Sequence, residues 1–128
     1  MRRQVIGILI AAGLGLASPC AMAGPWEDGM ASYNRGDYVP AVQVFRAMAG
    51  AGNTKAQAML GAMYQRGQGV KESSARAFMW LSFAASRGDT QAKAELKTVS
   101  ATMTAEDLSQ AREMMRECEA SAYRNCSY

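Results

Sequence analysis

Residues 56–88, AQAMLGAMYQRGQGVKESSARAFMWLSFAASRG, constrain this chain more than any other stretch, because they read as two helices joined by a glycine turn. Ala56, Leu60, Met63 and Tyr64 fall at i, i+4, i+7 and i+8, one face of an α-helix. Gly61 lies beside that face. A glycine inside a helix costs about 0.5–1 kcal/mol relative to alanine, so its use is to let a neighbouring helix backbone come close. Gly67 stands where a helix C′ residue enters the left-handed region. The second helix, from about Glu72 to Gly88, carries Ala77, Trp80, Leu81, Ala84 and Ala85 on one stripe, with Phe78, Met79 and Phe83 apolar on its flanks. A helix that is apolar nearly all round is buried on several sides. With Arg76 and Arg87 bracketing the run, this one is sandwiched between other helices.

The pattern recurs on both sides. Shifted by 36 residues, Ala41, Val44, Ala49 and Gly52 land on Ala77, Trp80, Ala85 and Gly88. Residues 38–50 are therefore a helix with Ala41, Val44, Phe45, Met48 and Ala49 on one face, preceded by a helix over 26–35. Pro40 falls in the first turn, where its missing N–H has no partner to lose. Tyr33 matches Tyr64 only at an offset of 31, so the first unit lacks the GxGV loop. After Gly88, Ala92 and Leu96 repeat Ala56 and Leu60, but Lys97 replaces the glycine and Ser100 the tyrosine. Thr104 with Asp107 is a capping-box-like start. An amphipathic helix over about 105–120 then hides the last apolar face of the array.

The order Ala56, Leu60, Gly61, Tyr64, Gly67, Gly69, Val70, Ala77, Trp80, Ala84, Ala85, Gly88 resembles the consensus of the Sel-one-like repeat, a helix-turn-helix unit related to the tetratricopeptide repeat. The resemblance implies an all-α fold, a short α-α superhelix with a C-terminal capping helix, built from units over about 26–52, 53–88 and 89–122 and then a tail. It also implies a non-catalytic adaptor or scaffold whose partner is a protein or peptide. Two rival functions stand beside it: an envelope hydrolase of the β-lactamase type, as assigned to cysteine-rich relatives, and a structural subunit of an envelope complex, homo-oligomers included.

Residues 1–23 have the three parts of a secretory signal peptide: Arg2 and Arg3, an apolar run over 5–16, and Ala21, Met22, Ala23 as the cleavage site. The run is far shorter than the roughly 20 residues of a spanning helix, so the reading is cleavage after Ala23, a mature domain over 24–128, no membrane span, and a periplasmic or secreted location. Pro19 and Ala17 beside Cys20 do not suit a lipid-attachment site. Without Arg2 and Arg3, twelve of the 14 basic residues face eleven acidic ones. Those charges alternate along the helices rather than cluster, which argues against nucleic acid.

Cys118 and Cys126 remain after cleavage, an even count where disulfides persist. On one straight helix they would lie about 12 Å apart, whereas a disulfide needs a Cα separation of roughly 4.4–6.8 Å. A staple therefore requires the chain to turn back near residues 122–125. The alternative, a reactive thiol pair, lacks CxxC spacing and any histidine. Cys118 shares the apolar face of the last helix with Leu108, Ala111, Met115 and Ala122. In the resembled family, bridges of similar spacing lie between repeats, whereas this pair closes the C-terminal cap.

The chain contains no histidine, which removes Ser-His and Cys-His catalysis and most zinc sites. The GQG of residues 67–69 follows a helix and lacks the GK[ST] ending of a phosphate loop. Met48, Met63, Met79 and Met115 lie on core stripes, where methionine fills space rather than binding copper. No catalytic residue, cofactor or metal is expected. What remains is surface shape. In a helical solenoid the first helix of each unit lines the concave face, which on the central unit offers Lys55, Met59, Ala62 and Arg66. The neighbouring units add Asp28 and Arg35 before, Gln91 and Glu95 after. Arg35, Lys55, Met59, Arg66, Gln91 and Glu95 are thus the expected partner-binding residues. Three cations around Met59 would suit an acidic peptide or chain terminus; a plain solvated face is the alternative.

Overall fold

The computed structural model describes residues 23–126, so the leader reading and Cys20 lie outside the described residues, Ala23 apart. The described residues form α1 (Pro25–Asn34), α2 (Tyr38–Gly50), α3 (Thr54–Arg66), α4 (Ser74–Ser86), α5 (Thr90–Thr102) and α6 (Ala105–Ala120), with no strand among them. This is the expected all-α architecture, a short solenoid of helix-turn-helix repeats.

Side-chain caps punctuate the chain. Asn53, Ser73 and Asp89 each accept the backbone N–H three residues on, starting α3, α4 and α5, and each such cap stabilises its helix by about 1 kcal/mol. Thr104 and Asp107 exchange both bonds of a full capping box at α6. The cap on Ser73 also explains why α4 begins at Ser74 rather than near Glu72: the Ser73 hydroxyl accepts from the Arg76 N–H, leaving Glu72 in the loop. Gly67 closes α3 at φ 66°, the left-handed C-cap.

Helix α4 is the central element, packing on α3, α5 and α6. Its Ala77, Met79, Trp80, Leu81 and Ala84 have no solvent exposure, and they join Leu60, Met63, Tyr64 and Phe45 in one core. The α3–α4 approach runs through Gly61: a Cβ there would sit 2.7 Å from Leu81 Cγ and 3.1 Å from the Leu81 backbone nitrogen. Three buried core members go beyond those the periodicity named. Val42 is buried while Val44 is only partly so. Met114 takes the most buried position on α6, because Ala111 and Cys118 share its inward azimuth at i−3 and i+4, and Met115 packs partly buried against the same core as expected. Gln57 is fully buried, its Nε2 donating to the Ala49 carbonyl at 3.2 Å and so tying α3 to the end of α2.

The chain reverses after α6 as a staple demands. Ala122 and Tyr123 take φ of 52° and 64°, a conformation that costs about 1–2 kcal/mol for each non-glycine residue. That puts Ala122 in solvent and off the expected α6 stripe. The turn is held by the Cys118–Cys126 disulfide, with Cα atoms 4.4 Å apart. Tyr123 adds an edge contact to Phe83, with ring centroids 5.3 Å apart. Arg87 reinforces it, donating to the Tyr123 hydroxyl and to the Gly52 carbonyl.

Two outcomes follow. Gly61→Ala should destabilise the fold by about 1–2 kcal/mol in urea titration, since overpacking outweighs the gain in helix propensity; on a Leu81→Ala background the same change should become neutral or stabilising. Peptide mapping of unreduced protein should find Cys118 joined to Cys126, and reduction should cost about 2–3 kcal/mol of stability for so short a loop.

Candidate functional site

The first helices of the three pairs converge on a cavity of about 490 Å³. Helix α1 contributes Trp26, Met30 and Tyr33, while α3 contributes Lys55, Ala58, Met59, Ala62 and Arg66. The α5 side adds Asp89, Gln91, Ala92 and Glu95, and Leu81 of α4 reaches the floor. The i, i+4, i+7 and i+11 spacing of Lys55, Met59, Ala62 and Arg66 aligns them along one side of α3. The backbone approach at Gly61 brings Leu81, itself fully buried, to the base of the cavity between them. The floor is therefore apolar and the rim polar, the usual make-up of a recognition groove.

The structure brings together five of the six expected residues: Lys55, Met59, Arg66, Gln91 and Glu95 all line this cavity. Arg35 is not among the lining residues. It lies beyond the end of α1, largely exposed, with Nε 3.2 Å from Asp37 Oδ2 and a further bond to Ser32. Asp28 does not line the cavity either. The three cations grouped in the sequence reading thus do not converge. Arg66 faces Glu95 at 3.5 Å, and Lys55 Nζ stands 6.0 Å from the Trp26 ring centroid, within cation–π range. Lys55 and Arg66 are balanced in number by the oppositely charged Asp89 and Glu95.

Glu95 is the unusual member. Its side chain is only 15% exposed. Oε1 takes both the Arg66 contact and a 3.1 Å bond from Gln91 Nε2. Oε2 is buried with no hydrogen-bond donor. A carboxylate oxygen held this way forfeits solvation without replacement. Among the described residues, no group of histidine, cysteine or acidic side chains has a geometry that would hold a metal. The groove thus combines an apolar floor, the Arg66–Glu95 ion pair on its rim and one carboxylate oxygen without a donor. Trp26, Met30 and Tyr33 were missed as lining residues, and their spacing on α1 matches that of the α3 set.

Residues 54–89 match the family model of the Sel1 repeat. The chain carries a Sel1 repeat. The match runs from the first residue of α3 to the N-cap of α5, and it falls on the residues from which the resemblance was drawn. The Sel1 repeat supplies Lys55, Ala58, Met59, Ala62, Arg66, Leu81 and Asp89 to the groove, and the flanking helices supply its two ends. Sel1 repeats generally mediate protein–protein interaction and are typically non-catalytic. No curated protein matches the chain.

Because Glu95 Oε2 lacks a donor, Glu95→Met should raise stability by about 1 kcal/mol, as the loss of a poorly compensated buried charge does. Thermal or urea unfolding checks this; a loss of similar size would mean that the oxygen is already satisfied.

Proposed function

We propose that the chain is a non-catalytic protein-interaction module, an adaptor or scaffold of the cell envelope. In this reading the groove of α1, α3 and α5 takes an apolar side chain from an extended or helical segment of a partner protein, and the Glu95 side chain turns so that Oε2, buried in the free chain, accepts an N–H from the same segment. The observation that carries the reading is that buried, donorless carboxylate oxygen beside an apolar floor. A cationic or amide-bearing partner segment fits it better than the acidic peptide suggested by sequence, since Arg35 lies elsewhere and Arg66 already faces Glu95. Lys55, Met59, Arg66, Gln91 and Glu95 are the proposed contacts, with Trp26 and Met30 completing the floor.

The export part of the proposal rests on the leader pattern of residues 1–23, cleaved after Ala23 to leave a domain over 24–128. It also draws on the disulfide, which is compatible with an oxidising compartment. No helix of the described residues is long and apolar enough to cross a membrane.

A photoreactive amino acid in place of Met59, expressed in the native cell, should give a discrete protein adduct that Glu95→Lys removes. The same probe in place of the exposed Val39 should not give it. Equal adducts at both positions, or an adduct indifferent to Glu95→Lys, would contradict the groove. Light scattering of the purified chain then separates a foreign partner from a second copy.

A further inference from the structure

A second cavity, of about 290 Å³, shares no residue with the groove and is lined by Arg46, Tyr64, Gly69, Val70, Lys71 and Arg76. We propose that it binds a phosphate-type tetrahedral oxyanion, with Arg46, Lys71 and Arg76 as the cations and the Tyr64 hydroxyl as a neutral donor.

The site is assembled from four segments. Arg46 comes from α2, Tyr64 from the last turn of α3, Lys71 from the loop over 67–73, and Arg76 from the first turn of α4. Tyr64 is the fixed point: the residue is 2% exposed. Its hydroxyl accepts from Arg46 at 3.0 Å, and the guanidinium carbon of Arg76 lies 6.0 Å from its ring centroid. A tyrosine hydroxyl has one proton to give, and here its described bond uses the oxygen as acceptor, so the proton is left for a ligand. The loop bearing Lys71 is held in place at Gly69, which has φ 70° and lies so near α2 that a Cβ would meet the Tyr38 carbonyl at 2.6 Å.

The charges do not suit a merely structural role. Among the described residues, none that lines this cavity is acidic. Arg76 sits in the first turn of α4, where the helix dipole disfavours a cation. Its Nε is buried with no hydrogen-bond partner, so part of that charge has lost its water without replacement. Lys71 and Arg76 line the same cavity and repel each other, and an anion between them would relieve that repulsion. A carboxylate has two oxygens to meet these four donor groups, whereas a phosphate has three or four, and guanidinium forks match its geometry. The anion could be a free phosphate or the phosphate of a lipid headgroup, and the experiment below distinguishes them. The proposal does not depend on the groove reading.

The full chain is titrated with inorganic phosphate at constant ionic strength, with acetate as control, following both the unfolding temperature and the backbone amide shifts. Phosphate should raise the unfolding temperature saturably, as ligand linkage requires, and should move the amides of Gly69, Val70 and Lys71 with the same midpoint. Acetate should do neither. Arg76→Gln should weaken the midpoint at least about tenfold, the loss of one charge-assisted contact, and Arg35→Gln should leave it unchanged. Should Arg76→Gln fail to fold, Lys71→Gln at an exposed position gives the same comparison. Sedimentation with phosphatidylglycerol vesicles against phosphatidylcholine vesicles forms the second arm. Binding to the anionic vesicles that Arg76→Gln abolishes would assign the phosphate to a headgroup, and saturation by inorganic phosphate alone would assign a free anion. No saturable response to either probe, or an equal response in wild type and variants, would overturn the site.

Discussion

The structure depends on how closely α3 can lie against α4. Gly61 removes the one Cβ that would strike Leu81, and the two helices then bury Leu60, Met63, Tyr64, Trp80 and Leu81 together. Glycine weakens an isolated helix by about 1 kcal/mol relative to alanine. Burying a single large apolar side chain contributes about 1.5–3 kcal/mol, so close packing of several outweighs that loss. The same approach fixes the shape of the groove, because Leu81 reaches its floor only where α3 presents small residues, Ala58, Gly61 and Ala62, towards it.

From this centre the rest is attachment. Gln57 ties α3 back to α2 through the Ala49 carbonyl, the Tyr33 hydroxyl donates to Gln68 in the repeat loop, and α6 folds onto α4. The C-terminal turn holds two non-glycine residues in the left-handed region. The disulfide, the Tyr123–Phe83 contact and the Arg87 bonds together offset that local cost. Each device joins elements that are near neighbours in the repeat order, as expected of a solenoid whose stability is built from adjacent contacts.

Much of this was legible in the residues. The 3.6-residue periodicity located α2 and α6, Gly67 marked the end of α3, and the reach of a disulfide required the reversal after α6. Local rules succeed there because the deciding atoms are close in sequence. The deeper burial of Met114 than of Met115 turned on a single helical azimuth, which periodicity resolves only to within a residue or so. At the groove, sequence alignment of the first helices placed five expected residues on one cavity. It did not foresee that Arg35 would turn to Asp37 and Arg66 to Glu95, nor that Glu95 would keep one oxygen without a donor. The Arg35–Asp37 pair is a local choice of rotamer two residues apart in sequence, whereas the Arg66–Glu95 contact depends on the distance between units, which the twist of the array sets. The cationic cavity around Tyr64 was invisible for the same reason: its charges lie on α2, a loop and α4, and only folding brings them together.

The central claim is that the close α3–α4 pair is the unit on which the other helices depend. Native-state hydrogen exchange read by amide tests it most directly. The account predicts that amides of Leu60, Met63, Trp80 and Leu81 exchange only through global unfolding, while α1 and α5 open at lower free energy. Faster exchange in α3 and α4 than in α1 or α5 would contradict it.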